Sequence, residues 1–194
     1  MVFSFVFIGS THGYVDDFKK QKEIILSIKP EYVLCEDLEN LILDSDNKFK
    51  DIIKKRTISN MTSYEEIEKL LKLCFEKNIK LIGIDMRNFG FDEKFQKKIK
   101  NQENLKPDEE KKMNQILKLR EKLHINKVLE YSKITNKTIV VIIGNWHLKK
   151  ESLLRKKLTN YKIIMPCDKN GEPLFEPKGE HNIKYLEIVN EDKN

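Results

Sequence analysis

Two histidines stand three residues after a glycine, and each of these Gly-x-x-His motifs comes directly after a strongly apolar run. The first motif spans residues 9–12 and the second spans residues 144–147. With 7 glycines and 4 histidines in 194 residues, about 0.14 such matches are expected by chance. A glycine at a strand end lets the chain turn tightly, so an imidazole three residues later can point back over the sheet. The spacing therefore predicts that His12 and His147 serve one polar site.

Charged residues follow other apolar runs in the same way. Glu36 follows the run EYVLC, and Asp85 follows IKLIGI, with Arg87 two residues later. Because the carboxyl ends of parallel strands meet at one edge of an α/β sheet, these side chains are expected near the two histidines. Two imidazoles and a carboxylate are a common ligand set for a catalytic divalent metal, which acidifies bound water and polarises a substrate oxygen.

Each of these residues also has a plainer interpretation. A histidine at a strand–helix junction often caps the helix or satisfies a local hydrogen bond. Glu36 could cap a helix too, and Asp37 is an equal claimant for its role. Asp85 could support a turn, and Arg87 could be a surface charge.

For the other aromatic residues considered, a reactive role is less expected. Trp146, the only tryptophan of the chain, could simply pack against the wall of the site. His124 and His181 fall in a predicted helix and a predicted loop, and both are interpreted as non-functional.

The elements that must position these residues alternate between strand and helix. Ser63 and Glu66 suggest a capping box at the start of the second helix, whereas the polar stretch before it has no strong pattern. The alternation predicts an α/β fold with a mainly parallel central sheet flanked by helices, in a single domain over residues 1–194. A short turn-rich and β appendage is predicted at the C-terminus. Predicted strands cover 2–8, 31–35, 79–84, 138–143, 161–165 and 183–189, and predicted helices cover 15–28, 64–77, 90–105, 108–133 and 148–158.

The composition of the chain argues against several classes of binding partner. The net charge of +6 and the pI of about 9.0 require that nucleic-acid binding be considered as a function. The lysines are interleaved with acids as on a solvated surface, so no specific nucleic-acid partner is expected. Three cysteines without a Cys-x-x-Cys motif indicate reduced thiols in the cytoplasm. The apolar run at residues 2–8 is too short to span a membrane and lacks signal-peptide features, so no membrane partner is expected.

Four segments carry a resemblance to a known family: FIGSTHG (7–13), PEYVLCEDL (30–38), LIGIDMRNF (81–89) and VVIIGNWHL (140–148). In their order and spacing the chain resembles the TraB/PrgY/GumN family, which includes the Tiki proteases and is related to the ChaN-like and erythromycin-esterase-like proteins. The hallmarks of that family are two Gly-x-x-His motifs, a glutamate ending the second strand and an arginine after a later strand. Arg120 is a further candidate, because LREKLHINKVLEY (119–131) is similar to an arginine-bearing helical segment of the relatives.

The resemblance implies an EreA/ChaN-like core and, from the Tiki-type members, a peptidase that uses manganese or cobalt rather than zinc. The implied metal ligands are His12, His147 and Glu36. Glu36, Arg87 and Arg120 are the implied catalytic residues, with an arginine holding a substrate carboxylate or an oxyanion. Asp85, Asn145 and Trp146 are expected to contact the substrate. The chain departs from its relatives in two ways: Met86 separates Asp85 from Arg87, and their membrane segments are lacking.

The leading expectation is therefore a metal-dependent hydrolase that acts on a peptide, an ester or an amide. If no metal binds, a histidine could act as general base. The alternative is a non-catalytic module of the same fold that binds an anionic ligand or haem. A metallophosphoesterase is a third interpretation, but the aspartates that would bridge two metals are missing from STHG and GNWH. The expected partner is a peptide or small-molecule substrate, and the sequence leaves open whether the chain forms a homo-oligomer.

Overall fold

The computed structural model describes residues 3–11, 17–174 and 183–190. Strands and helices alternate along most of this part of the chain. The strands are β1 (Phe5–Ser10), β2 (Tyr32–Cys35), β3 (Ile42–Leu43), β4 (Lys80–Gly83), β5 (Ile139–Gly144), β6 (Tyr161–Cys167) and β7 (Lys184–Asn190). The α-helices are α1 (Asp17–Ile28), α2 (Asp46–Lys55), α3 (Tyr64–Glu76), α4 (Glu93–Lys100), α5 (Pro107–Ser132) and α6 (Leu153–Lys157).

The strands form one seven-stranded sheet in the order β3-β4-β2-β5-β1-β6-β7. The five inner strands are parallel to one another, whereas β3 and β7 pair antiparallel at the two edges. The predicted α/β class is confirmed, and the sheet is mixed, with a parallel centre. This topology brings the carboxyl ends of β1, β2, β4 and β5 to one edge, which is where the polar residues of the sequence follow their strands.

Helices cover both faces of the sheet, and the side chains of β1 show the division. Val6 and Ile8 belong to a core that includes residues of α1 and α3, whereas Phe5 and Phe7 belong to a core that includes residues of α5 and α6. All six residues of β1 are buried, as are all six of β5. Because neither face of these strands is solvated, both read in the sequence as continuous apolar runs.

Some local predictions were wrong. The weakly patterned stretch before residue 62 contains β3 and α2, which local patterning conceals because β3 has two residues and α2 buries only Phe49. Ser63 does precede α3, but its hydroxyl donates to the Glu65 carboxylate at 2.7 Å and closes no capping box. The predicted helix over 148–158 begins as a 3-10 turn at Asn145–Leu148 and becomes α-helical only in α6.

The predicted C-terminal appendage ends in a strand that belongs to the central sheet. Residues 184–190 pair with β6 along its full length and complete the sheet as β7, so this part is an integral strand. Residues 175–182, which include His181, lie outside the described residues. None of the helices in the described ranges is long and apolar enough to cross a membrane.

Candidate functional site

The two Gly-x-x-His turns begin side by side. Ser10 at the end of β1 lies opposite Gly144 at the end of β5 in the parallel pairing of the two strands. A Cβ atom on Gly9 would lie 1.7 Å from Oδ1 of Asn145, so the close approach of the two turns requires a glycine at position 9. His12 lies outside the described residues, so its meeting with His147 stays a prediction.

Glu36 is the centre of the site. It follows β2 as the first residue of a 3-10 turn, Glu36–Leu38, and is only 4% exposed. One carboxylate oxygen accepts the backbone N–H of Gly144 at 2.7 Å. The other accepts Nη2 of Arg120 and lies 3.4 Å from Nε2 of His147. Burial acts to raise the pKa of Glu36, but His147 and Arg120 hold that pKa well below its usual range.

Arg120 of α5 joins two buried carboxylates. Its Nε lies 3.1 and 2.9 Å from the two oxygens of Asp85, and its Nη2 donates both to Asp85, at 2.7 Å, and to Glu36. The ring of Phe89 packs against the guanidinium at 4.6 Å. Among the described residues, none accepts a hydrogen bond from Nη1 of Arg120. Arg87, the other candidate, is exposed and is not among the described residues that line the pocket.

Asp85 and His124 lie behind Arg120. The side chain of Asp85 is fully buried, and its Oδ2 also contacts Nε2 of His124 at 2.9 Å. Asp85 therefore holds Arg120 in place and has no surface for the substrate contact that was expected of it. His124, predicted to be non-functional, is 0% exposed and packs edge-on against the ring of His147 at 4.9 Å. The sequence prediction did not place it beside the site, although its spacing of four residues from Arg120 puts both on one helix face.

His147 lies in the 3-10 turn after β5, between two acids. Its Nε2 faces Glu36, and its Nδ1 lies 3.7 Å from a carboxylate oxygen of Glu121. That distance suits an ion pair but is too long for a hydrogen bond, so Nδ1 is buried without a hydrogen-bond partner among the described residues. Burial acts to lower the pKa of His147, but Glu36 and Glu121 raise it to about 9.

The other two residues of the second motif differ in exposure. Asn145 is buried; its Nδ2 donates to the backbone carbonyl of Leu174, and its Oδ1 has no hydrogen-bond partner in the described part of the chain. Trp146 is 57% exposed, and Nζ of Lys149 lies 3.0 Å from its ring centroid. Both residues line the pocket, as a substrate-contacting role requires.

The pocket at this sheet edge is an open cleft of about 500 Å³. Its polar part includes Glu36, Arg120 and His147, and its apolar part is formed by the large side chains Met61, Phe89, Met113, Leu117 and Trp146. The volume falls in the range of about 300–1,000 Å³ that is usual for small-molecule sites.

Two described pocket residues are placed as a pair of ligands to one divalent metal would be. The 3.4 Å between Nε2 of His147 and Oε1 of Glu36 suits two ligands of one ion with bonds of about 2.0–2.2 Å. Glu121 lies beyond Nδ1, where a carboxylate commonly supports a metal-bound histidine. Three carboxylates (Glu36, Asp85 and Glu121) against the single guanidinium of Arg120 favour a cation, provided that His147 gives up its proton.

A second set of possible metal ligands, and haem as an alternative ligand of the pocket, are less compatible with these contacts. Donor atoms of Glu36, Asp85 and His124 all lie within 4.8 Å of one another. However, the Arg120 guanidinium is bonded to both acids and already supplies the positive charge between them. Haem needs an exposed axial ligand, but the described lining contains no tyrosine and its one histidine, His147, is buried against Glu36.

No protein family, curated protein or solved structure matches this chain. The chemistry of the site therefore rests on the geometry of its own residues, and the family resemblance remains a prediction.

Proposed function

We propose that this chain is a metal-dependent hydrolase of the peptidase or esterase type, acting on a peptide, ester or amide bond above Glu36. One observation carries the proposal. The Glu36 carboxylate is held by Gly144 and Arg120 and faces His147 across 3.4 Å, in an open pocket of about 500 Å³. A buried, oriented carboxylate beside an imidazole is the kind of preorganised pair that hydrolytic sites require.

Glu36 and His147 would hold the metal, with His12 as the third ligand from the neighbouring turn. Manganese or cobalt is preferred over zinc on the family resemblance. The bound metal would acidify a water molecule and polarise the substrate carbonyl. Nη1 of Arg120 would donate to the developing oxyanion. Asp85 keeps that guanidinium oriented because it accepts hydrogen bonds from Nε and Nη2 of Arg120. His124 in turn contacts Asp85.

An EreA/ChaN-like fold and membership of the TraB/GumN-like group are part of the same proposal. The motifs that carry the resemblance follow β1, β2, β4 and β5, whose carboxyl ends share one sheet edge. Arg120 would take the role that the resemblance gives to an arginine on the preceding helix. Its direct contact with Glu36 supports this assignment.

The test is metal content together with hydrolysis. Purified protein, reconstituted with manganese, cobalt or zinc, is analysed for bound metal and assayed on peptide, ester and amide substrates with and without EDTA. We expect His12→Ala, His147→Ala and Glu36→Gln to lose metal and activity together. Glu39→Gln is the matched control, because Glu39 is equally buried three residues away but bonds to Asn88 and Ser59 outside the pocket.

Other results of these experiments would each support a different function. Full metal content in both histidine variants would overturn the metal site. Strong hydrolysis that survives EDTA but not His147→Ala would replace the metal by a histidine base. Tight ligand binding without turnover of any substrate would favour the non-catalytic binding module.

A further inference from the structure

The apolar wall of the pocket is built from several separate segments. Met61 comes from the loop before α3, Phe89 from the turn after β4, and Trp146 from the turn after β5. Met113 and Leu117 come from α5. All five side chains are at least partly exposed, although each is large and apolar. Their convergence on one pocket indicates a surface that an apolar ligand group would cover.

One face of α5 connects this wall to the charged part of the site. Met113, Leu117 and Arg120 follow one another at spacings of four and three residues, so they share a helix face. At 1.5 Å per residue, the face runs for about 10 Å from Met113 to Arg120. A ligand whose carbonyl meets the Arg120 guanidinium can therefore lay an apolar group of about that length along Leu117 and Met113.

Charge argues against an anionic group in this pocket. Asp37 and Glu66 are the charged residues that line it besides the functional cluster, and no lysine is among its described lining residues. An anionic group would face these acids, whereas an uncharged apolar group would cover the five large apolar side chains. The two methionines favour a ligand of variable shape, because their side chains are unbranched and flexible.

We propose that the pocket takes esters or amides whose carbonyl adjoins an uncharged, extended apolar group, such as a medium-length acyl chain, lying along Met113 and Leu117. That such compounds are hydrolysed as substrates rests on the proposed hydrolase function. That they bind in the pocket does not rest on it, because Met113 and Leu117 are not metal ligands.

The test is a binding titration that requires no catalysis. Trp146 is the only tryptophan and lines the pocket, so its fluorescence reports occupancy directly. The probes are acetamide, butanamide and octanamide. We expect affinity to rise along the series by up to about fourfold per buried methylene. Leu117→Gln should weaken octanamide binding by about tenfold, because it places a polar group in the wall.

Leu119→Gln is the matched control. Leu119 is on the same helix and 52% exposed, but it is not among the described lining residues. It should leave octanamide affinity unchanged, and a thermal melt of each variant confirms that it is folded. Equal affinity for all three amides, or equal losses in Leu117→Gln and Leu119→Gln, would overturn the inference even if short esters are hydrolysed. Chain-length-dependent binding without hydrolysis of any ester would support it and count against the hydrolase alone.

Discussion

Gly9 packs against Asn145 so closely that no side chain can be added to it. A Cβ atom on Gly9 would lie 1.7 Å from Oδ1 of Asn145 and 2.9 Å from Cβ of Met165. Through this contact, the end of β1 fixes the position of Asn145 in the turn that carries His147. The two Gly-x-x-His motifs are thus linked by packing as well as by strand pairing.

Gly9→Ala should destabilise the protein by about 1–3 kcal/mol, because the added methyl group must displace Asn145 or the adjacent strand. Urea denaturation measures the loss. Ser10→Ala, the neighbouring control, adds no atom next to Asn145 and gives up a long 3.4 Å hydrogen bond to Asp17, so it should cost less. Equal stability of Gly9→Ala and wild type would show that the two turns are not in contact.

Arg120→Leu should cost about 3–5 kcal/mol of unfolding free energy, because it leaves Glu36 and Asp85 buried without their cation. Arg120→Lys should cost less but still lose stability, since an ammonium group cannot bridge both acids as the guanidinium does. Arg56→Leu removes exposed pairings with Glu65 and Glu68 and should cost much less than Arg120→Leu, because water screens such pairs. Chemical denaturation of the three variants gives the comparison, and a loss in Arg120→Leu no larger than in Arg56→Leu would contradict it.

Glu121→Gln should weaken metal binding by about 10- to 100-fold while leaving the fold intact. Glu121 is partly exposed and faces Nδ1 of His147, so it would orient and polarise the metal-bound imidazole. Manganese or cobalt titration measures the affinity. Glu110→Gln, an exposed acid near the start of the same helix, should leave that affinity unchanged. Unaltered metal binding in Glu121→Gln would remove Glu121 from the site.

The stability of the wild type relative to Asp17→Asn should fall as the pH rises from about 4 towards neutrality. Burial raises the pKa of Asp17, although hydrogen bonds from Thr11, Ser10 and Tyr185 act in the opposite direction. A carboxyl group with a raised folded-state pKa contributes stability below its unfolded pKa, and that stability is lost as the pH rises through the folded value. Urea titrations of both proteins across this range measure the difference. A difference that does not change with pH would contradict the prediction.

Much of the fold is visible in the sequence, because its central strands are buried on both faces. Runs such as those of β1 and β5 must be almost entirely apolar, and they stand out against a charged chain. Edge and surface elements lack this constraint. β3 buries one of its two side chains and α2 buries only Phe49, so neither produces a strong pattern.

The sequence by itself determined which residues reach the sheet edge. Strand ends on parallel neighbours coincide, and Glu36, Asp85 and His147 lie within three residues of such ends. The tertiary structure decided what each of them contacts. Arg120 bonds to partners 84 and 35 residues away, and these pairings exist only because α5 packs across the sheet. That packing places Arg120 in the pocket, buries Asp85 against Arg120 and brings His124 against His147, whereas Arg87 stays exposed outside the described pocket lining. Such contacts depend on distance in space, which local spacing along the chain does not encode.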